Sequence, residues 1–176
     1  MHKYRRMIFI AIVAILTIAV SGISTAVAQD GVVWQGSYYN NANRQGTPTF
    51  TRSDNSINFN WGNGAPGSLN NDNFSVEWVT QTYLAAGNYR FSLLADDYAR
   101  IAIDGNAIIN TFETGQLDEI VEAEVSLGAG NHTINVVYQE LIGPAFITVN
   151  YLRVAKESGV STRLIAQLDL TLYLLS

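Results

Sequence analysis

Apolar residues recur at every second position through most of the chain, the period of strands that bury one face. Phe74, Val76 and Trp78 alternate with Ser75, Glu77 and Val79, while Tyr89, Phe91 and Leu93 alternate with smaller or polar residues. Ile101 and Ile103 resume the alternation, and Asp104-Gly105 then supplies the residues of a hairpin turn. Ile57, Phe59 and Trp61 share one face of a further strand, with Asn58 and Asn60 opposite. Strands are expected at 33–39, 48–52, 56–61, 107–112, 120–127, 133–139 and 145–154, besides those just named. Turns are expected at Ser53-Asp54-Asn55, at Gly87-Asn88 and at 128–131. Residues 61–73, rich in Gly, Asn and Pro, read as a long irregular loop able to shape a ligand rim. A long helical period is absent from 30–154, so the pattern predicts an all-β protein, an antiparallel sandwich or a compact barrel-like sandwich.

The two ends read differently. Lys3, Arg5 and Arg6 precede an apolar run, and Ala26-Val27-Ala28 is a small-x-small cleavage signal. Residues 1–28 are therefore read as the helix of a secretory signal peptide, cut before Gln29, and the protein as secreted or held at the cell surface. The rival reading is an uncleaved anchor, since residues 7–28 carry no charge and are long enough to span a bilayer. That is the one route to a membrane. At the other end, residues 155–176 form a tail in which Leu168, Leu170, Leu172 and Leu174 fit a strand, while Leu164, Ile165, Leu168, Leu172 and Leu175 fit a helix. The sandwich is placed at 29–154.

Charge narrows the partners. The whole chain has 10 basic and 15 acidic residues, and without Lys3, Arg5 and Arg6 the remainder carries 7 against 15, a net −8. Such a surface repels phosphate backbones, which disfavours nucleic acid. There is no cysteine, so an exported chain has no disulfide framework and its stability rests on a core.

Candidate chemistry is sparse. Asp96-Asp97 sits between two expected strands, where a sheet presents residues at its rim. Adjacent carboxylates repel unless they are well solvated or hold a cation, and both alternatives stand on these residues alone. His132, the lone histidine beyond the leader, lies beside the 128–131 turn with no poised serine near it, and is read as structural. One histidine and no cysteine make a poor zinc site. Sequence neighbours cannot face each other across a cleft about 5–10 Å wide, so Asp96 and Asp97 do not read as a glycosidase acid–nucleophile pair. No enzyme is expected. Trp34, Trp61 and Trp78 fall on apolar strand faces and are read as core rather than as sugar-stacking platforms.

The ordered pieces resemble one family, the protective-antigen fourteen-kilodalton domain found in anthrax protective antigen, yeast flocculins and adhesins, and glycosidase-associated modules. They are Trp34 with Tyr38-Tyr39-Asn40, Gly46-Thr47-Pro48, Ile57-Asn58-Phe59-Asn60-Trp61-Gly62, Gly64-Ala65-Pro66-Gly67 and Phe74-Ser75-Val76-Glu77-Trp78. Ala86-Gly87-Asn88-Tyr89-Arg90-Phe91, the run from Asp96-Asp97-Tyr98 to Asp104-Gly105, Leu127-Gly128-Ala129-Gly130-Asn131-His132 and Val136-Val137-Tyr138 follow in register. The resemblance implies a β-sandwich. In lectin members, two adjacent aspartates joined by a cis peptide bind calcium, which in turn holds sugar hydroxyls; Asp96 and Asp97 match those positions. Tyr98 stands where the family usually has glycine; the two readings of that departure are an altered turn and an aromatic face offered to a sugar ring. The late connection at 139–144 lacks the family's asparagine and carries Glu140 as a substitute oxygen ligand. The resemblance thus implies Ca²⁺ at Asp96, Asp97 and Glu140, and a glycan at Asp96, Asp97 and Tyr98. The function implied is an exported carbohydrate-binding or adhesive module; the alternative is a non-lectin structural or protein-contact domain that has lost its ligand.

Overall fold

The computed structural model describes residues 31–115 and 118–154. The leader and the tail lie outside the described residues. Two antiparallel sheets face each other. The larger holds β1 (Trp34–Tyr39), β2 (Phe50–Asp54), β4 (Phe74–Leu84), β6 (Tyr98–Ile103), β7 (Asn106–Asn110) and β9 (Gly130–Glu140), in the order β2-β1-β4-β9-β6-β7. The smaller holds β3 (Asn58–Gly62), β5 (Gly87–Asp96), β8 (Val121–Leu127) and β10 (Ala145–Val154), in the order β3-β10-β5-β8. The expected sandwich is what forms.

Alternation along the strands builds the core between the sheets. Phe74, Val76 and Trp78 of β4 and Ile134, Val136 and Tyr138 of β9 are wholly buried from the larger sheet. Phe91 and Leu93 of β5 and Ile147 of β10 meet them from the smaller. Burying an aromatic or branched aliphatic side chain contributes about 1.5–3 kcal/mol, so this one layer supplies most of the cohesion a chain without cysteine needs. Strand β8 shows the same rule at an edge. Val121, Ala123, Val125 and Leu127 pack inward, while Glu122 and Glu124 face solvent beside Arg90, whose Nη2 lies 2.7 Å from Glu124 Oε1. A solvent-exposed pair of that kind adds little stability.

Three sequence expectations are corrected. Trp34 and Trp78 are core, but Trp61 is only half-buried, stacked at 5.1 Å on Phe59, which in turn stacks on Trp78 at 5.7 Å. Ser53-Asp54, read as part of a turn, belongs to β2, and Asp54 is buried at 7% exposure. Its carboxylate accepts from Tyr38 Oη (2.5 Å), Trp78 Nε1 (2.8 Å) and Arg52 Nε (2.6 Å). Three donors compensate the cost of taking a carboxylate out of water. Gly36 makes the space for it: a Cβ there would lie 2.7 Å from Tyr38 Cε2 and 2.9 Å from Asp54 Oδ2. Finally, the strand expected to run on to residue 112 stops at Asn110, and a single helical turn, α1 (Thr111–Thr114), replaces it. Thr111 Oγ1 accepts from Ala99 N at 2.8 Å and donates to Ala99 O at 3.0 Å, supplying through its side chain the ladder bonds the backbone no longer makes.

Candidate functional site

Strands β4, β5, β6, β9 and β10 bring their ends to one rim of the sandwich. Asp96 closes β5 and Tyr98 opens β6, so Asp97 is the sole linking residue. The Asp96–Asp97 peptide is cis, as the resemblance implies for lectin members. Asp97 Oδ2 accepts from Leu141 N (2.6 Å) and Ile142 N (3.3 Å), which ties the aspartate pair to the late connection. The long loop reaches the same place: Asp72 Oδ1 accepts from Gly143 N at 3.1 Å, and Asn73 N donates to Leu141 O at 3.2 Å. A fourth segment joins them through Asp118 N, which donates to Ala95 O at 3.2 Å. Three segments far apart in sequence therefore converge around Asp97.

Electrostatics at the rim follow from burial and crowding. Asp96 is pushed up to about 6, chiefly by burial, then by the charges of Asp118 and Asp97. Glu140 is wholly buried. Burial pushes it up to about 8, with Asp97, Asp96 and Asp72 adding repulsion and the Tyr138 hydroxyl opposing them. Tyr138 Oη donates to Glu140 Oε2 at 3.0 Å and also bonds Asp96 O, while Glu140 Oε1 has no partner among the described residues. Glu140 thus stands beneath the aspartate pair, linked to it through one hydroxyl. Among the described residues, no three His, Cys, Asp or Glu side chains gather into a group fit to hold a metal ion.

Tyr98 pairs with Gln139 in the β6–β9 ladder and stacks on Phe112 at 5.6 Å, so its ring lies along the sheet. Leu141 and Ile142 are exposed beside Asp97, Ile142 at 75%. Asp72 and Asp118 carried no signal in the sequence; each is one acid in a polar connection, and only the packing of loops brings it to the rim.

His132 plays the structural part expected of it. Its Nδ1 lies 2.6 Å from Asp104 Oδ2 and its Nε2 lies 3.0 Å from Gly128 O, so the ring clamps the β6–β7 turn to the β8–β9 turn. Both partners are acceptors. The doubly protonated ring satisfies both, and the hydrogen bond to Asp104 raises the histidine above its ordinary value.

Comparison with known proteins agrees with this architecture. The PA14 domain family matches residues 29–162, and the chain belongs to that family. It is 34% identical over 101 residues to the anti-sigma-I factor RsgI3 of Acetivibrio thermocellus, a match covering 56% of this chain and 16% of that protein. The chain therefore spans about a sixth of the curated relative it matches. Among solved structures, an anti-sigma factor domain-containing protein superposes with a TM-score of 0.62 at 24% identity, covering 70% of this chain and 44% of the other. A PA14 sugar-binding domain from an RTX adhesin superposes with a TM-score of 0.58 at 18% identity, over 69% of this chain and 89% of the domain.

Proposed function

We propose that this domain is a non-catalytic, exported carbohydrate-binding module that uses calcium at the Asp96–Asp97 rim. The observation that carries the proposal is the meeting of Asp97 with the 139–144 connection, through the bonds from Leu141 N and Ile142 N to its carboxylate. These bonds hold the aspartate pair beside the late connection, an arrangement that supports a calcium-assisted sugar site. The sugar-binding adhesin domain of the same fold supports the reading.

The donor chemistry fits a hard cation. Asp96, Asp97 and Glu140 offer only oxygen, and Glu140 Oε1 is buried without a partner among the described residues. Calcium takes six to eight oxygens, so main-chain carbonyls, water and sugar hydroxyls make up the number that the aspartate pair leaves open. When bound, the ion supplies positive charge that two vicinal hydroxyls can coordinate. The chain's own part is to hold Asp97 through two backbone amides and to place the exposed Ile142 and the half-buried Tyr98 beside it. Export follows from the leader reading, and suits an ion met at millimolar concentration outside the cell.

The test is a melt of the full chain in calcium and in chelator. Extracellular calcium modules work at roughly 10⁻⁴–10⁻³ M, and a hundredfold excess over the dissociation constant stabilises a folded state by about 2.7 kcal/mol. Calcium is expected to raise the melting temperature by several degrees, with Asp96→Asn and Asp97→Asn each removing the rise. Tyr98→Gly is expected to keep the calcium response, because the ring stacks on Phe112. A glycan array read with and without calcium then identifies the sugar. A melt indifferent to both calcium and chelator, with no glycan bound, sinks this reading in favour of a protein-contact domain, a role that the match to a segment of an anti-sigma-I factor supports.

A further inference from the structure

Residues 31–154 contain five arginines, no lysine and twelve acids. Three of the arginines are engaged: Arg52 with Asp54, Arg90 with Glu124, and Arg153 Nη2 with Ala86 O at 2.5 Å. The side chains of Arg44 and Arg100 make no hydrogen bond or ion pair with any described residue. Yet these two line one pocket, together with Asn110, Phe112 and Val137. In a domain where acids outnumber arginines more than two to one, a pocket with two cations and no carboxylate on its wall runs against composition.

The pocket lies on the outer face of the larger sheet. Ala99 and Ile101 point into the core, so Arg100 between them points out, opposite Val137 on β9 and Asn110 on β7. Arg100 Nε and Asn110 Oδ1 are buried and have no partner among the described residues. Unsatisfied buried polar atoms are uncommon in folded proteins, and a bound group is one way they are completed. Arg44 arrives from the other side on a loop built to hold it. Asn41 Oδ1 accepts from Asn43 N (3.2 Å) and Gln45 N (2.9 Å), and its Nδ2 donates to Gln45 O at 3.0 Å. Ser75 Oγ and Gln139 Nε2 tether the loop to the sheet by donating to Asn41 O (2.6 Å) and Ala42 O (2.9 Å). Arg44 itself sits at φ 56, a left-handed conformation that a long side chain seldom adopts. The guanidinium is thus carried by a pinned loop, so little ordering remains to be done on binding.

Arginine's planar fork matches a carboxylate, and an aromatic ring beside it suits the apolar face of a sugar. Phe112 supplies that ring and Val137 the apolar floor. The pocket is about 200 Å³, below the ~300–1,000 Å³ of sites for drug-sized ligands, which fits one sugar ring. Phe112 also stacks on Tyr98, next to Asp97, so pocket and rim adjoin. We propose that the Arg44–Arg100 pocket is a subsite for the carboxylate of an acidic sugar, a uronic acid residue of a glycan. This rests on the carbohydrate reading of the rim and adds the class of sugar.

Titrating the full chain with glucuronate, galacturonate, glucose, galactose and inorganic phosphate, each in calcium and in chelator, tests it. The uronates are expected to bind at least tenfold tighter than their neutral parents, with affinity falling as salt rises. Arg100→Gln and, independently, Arg44→Gln on the half-buried loop should each bring uronate affinity down to the neutral level while leaving neutral-sugar binding and the calcium-dependent melt unchanged. Equal affinity for acid and neutral sugars, or uronate binding untouched by both variants, overturns the subsite and leaves the rim reading standing. Phosphate competing as well as the uronates overturns the sugar assignment. Uronate binding that persists in chelator and is lost in both variants upholds the subsite even where the calcium reading fails. No binding of any sugar in either condition defeats both.

Discussion

His132 shows how a single side chain in this protein carries a pH dependence. Its partners are the Asp104 carboxylate and the Gly128 carbonyl, both acceptors, so the clamp is complete only when the ring is charged. The folded histidine is held above its ordinary value, so its contribution is fully present below about pH 6.5 and is lost as pH rises through the folded value. Asp104 is held below its ordinary value, first by the histidine bond and then by the amide of Thr133, so its share is lost only in acid as pH falls. His132→Gln is accordingly expected to lower the melting temperature more at pH 5.5 than at pH 9. Asp104 is half-exposed, which keeps the effect modest. An equal deficit at both pH values, measured by thermal melts, removes the charged clamp from the account. The role of His132 was legible from its place beside a turn. Its partner was not, since Asp104 is 28 residues away.

At the scale of elements, α1 interrupts what alternation alone continues as strand. Ile108 and Ile109 give way to Asn110-Thr111, and Gly115 caps the turn at φ 68, with its N–H donating to Thr111 O at 2.8 Å. The turn is possible because Thr111 replaces backbone pairing for Ala99 with its hydroxyl. Thr111→Val keeps the shape and removes both bonds, leaving a buried N–H and C=O unpaired at about 1–3 kcal/mol for each unsatisfied group. Its melting temperature is expected to fall by several degrees, and Thr111→Ser to restore much of it. A valine variant as stable as the parent shows that the hydroxyl is dispensable and that α1 is held by packing alone. The same element places Phe112 beside Tyr98, so an interruption of the strand prepares the wall of the arginine pocket.

For the molecule as a whole, the two sheets close on one core, and β10 lies inside the smaller sheet between β3 and β5. The last described strand is therefore an interior one, paired on both sides. The family match ends at residue 162, and a chain spanning 29–162 is expected to melt cooperatively within a few degrees of the full length. A broad or sharply lowered transition shows instead that the leucines at 168–174 belong to the sandwich. By itself the sequence determined the fold class, because period-two alternation admits only strands with one buried face. It also marked the aspartate pair, because adjacent acids at a strand junction need compensation. It could not decide Asp54, Asp72, Arg44 or Arg100. Each is a polar residue in or beside a turn or strand, and what sets it apart is what lies across space: three donors from β1, β2 and β4 for Asp54, the amide of Gly143 for Asp72, and an outward pocket with no carboxylate for the arginines. Local pattern reads which face of a strand is apolar, whereas desolvation and pairing of a charge depend on segments tens of residues apart, and only the packed sheets bring those together.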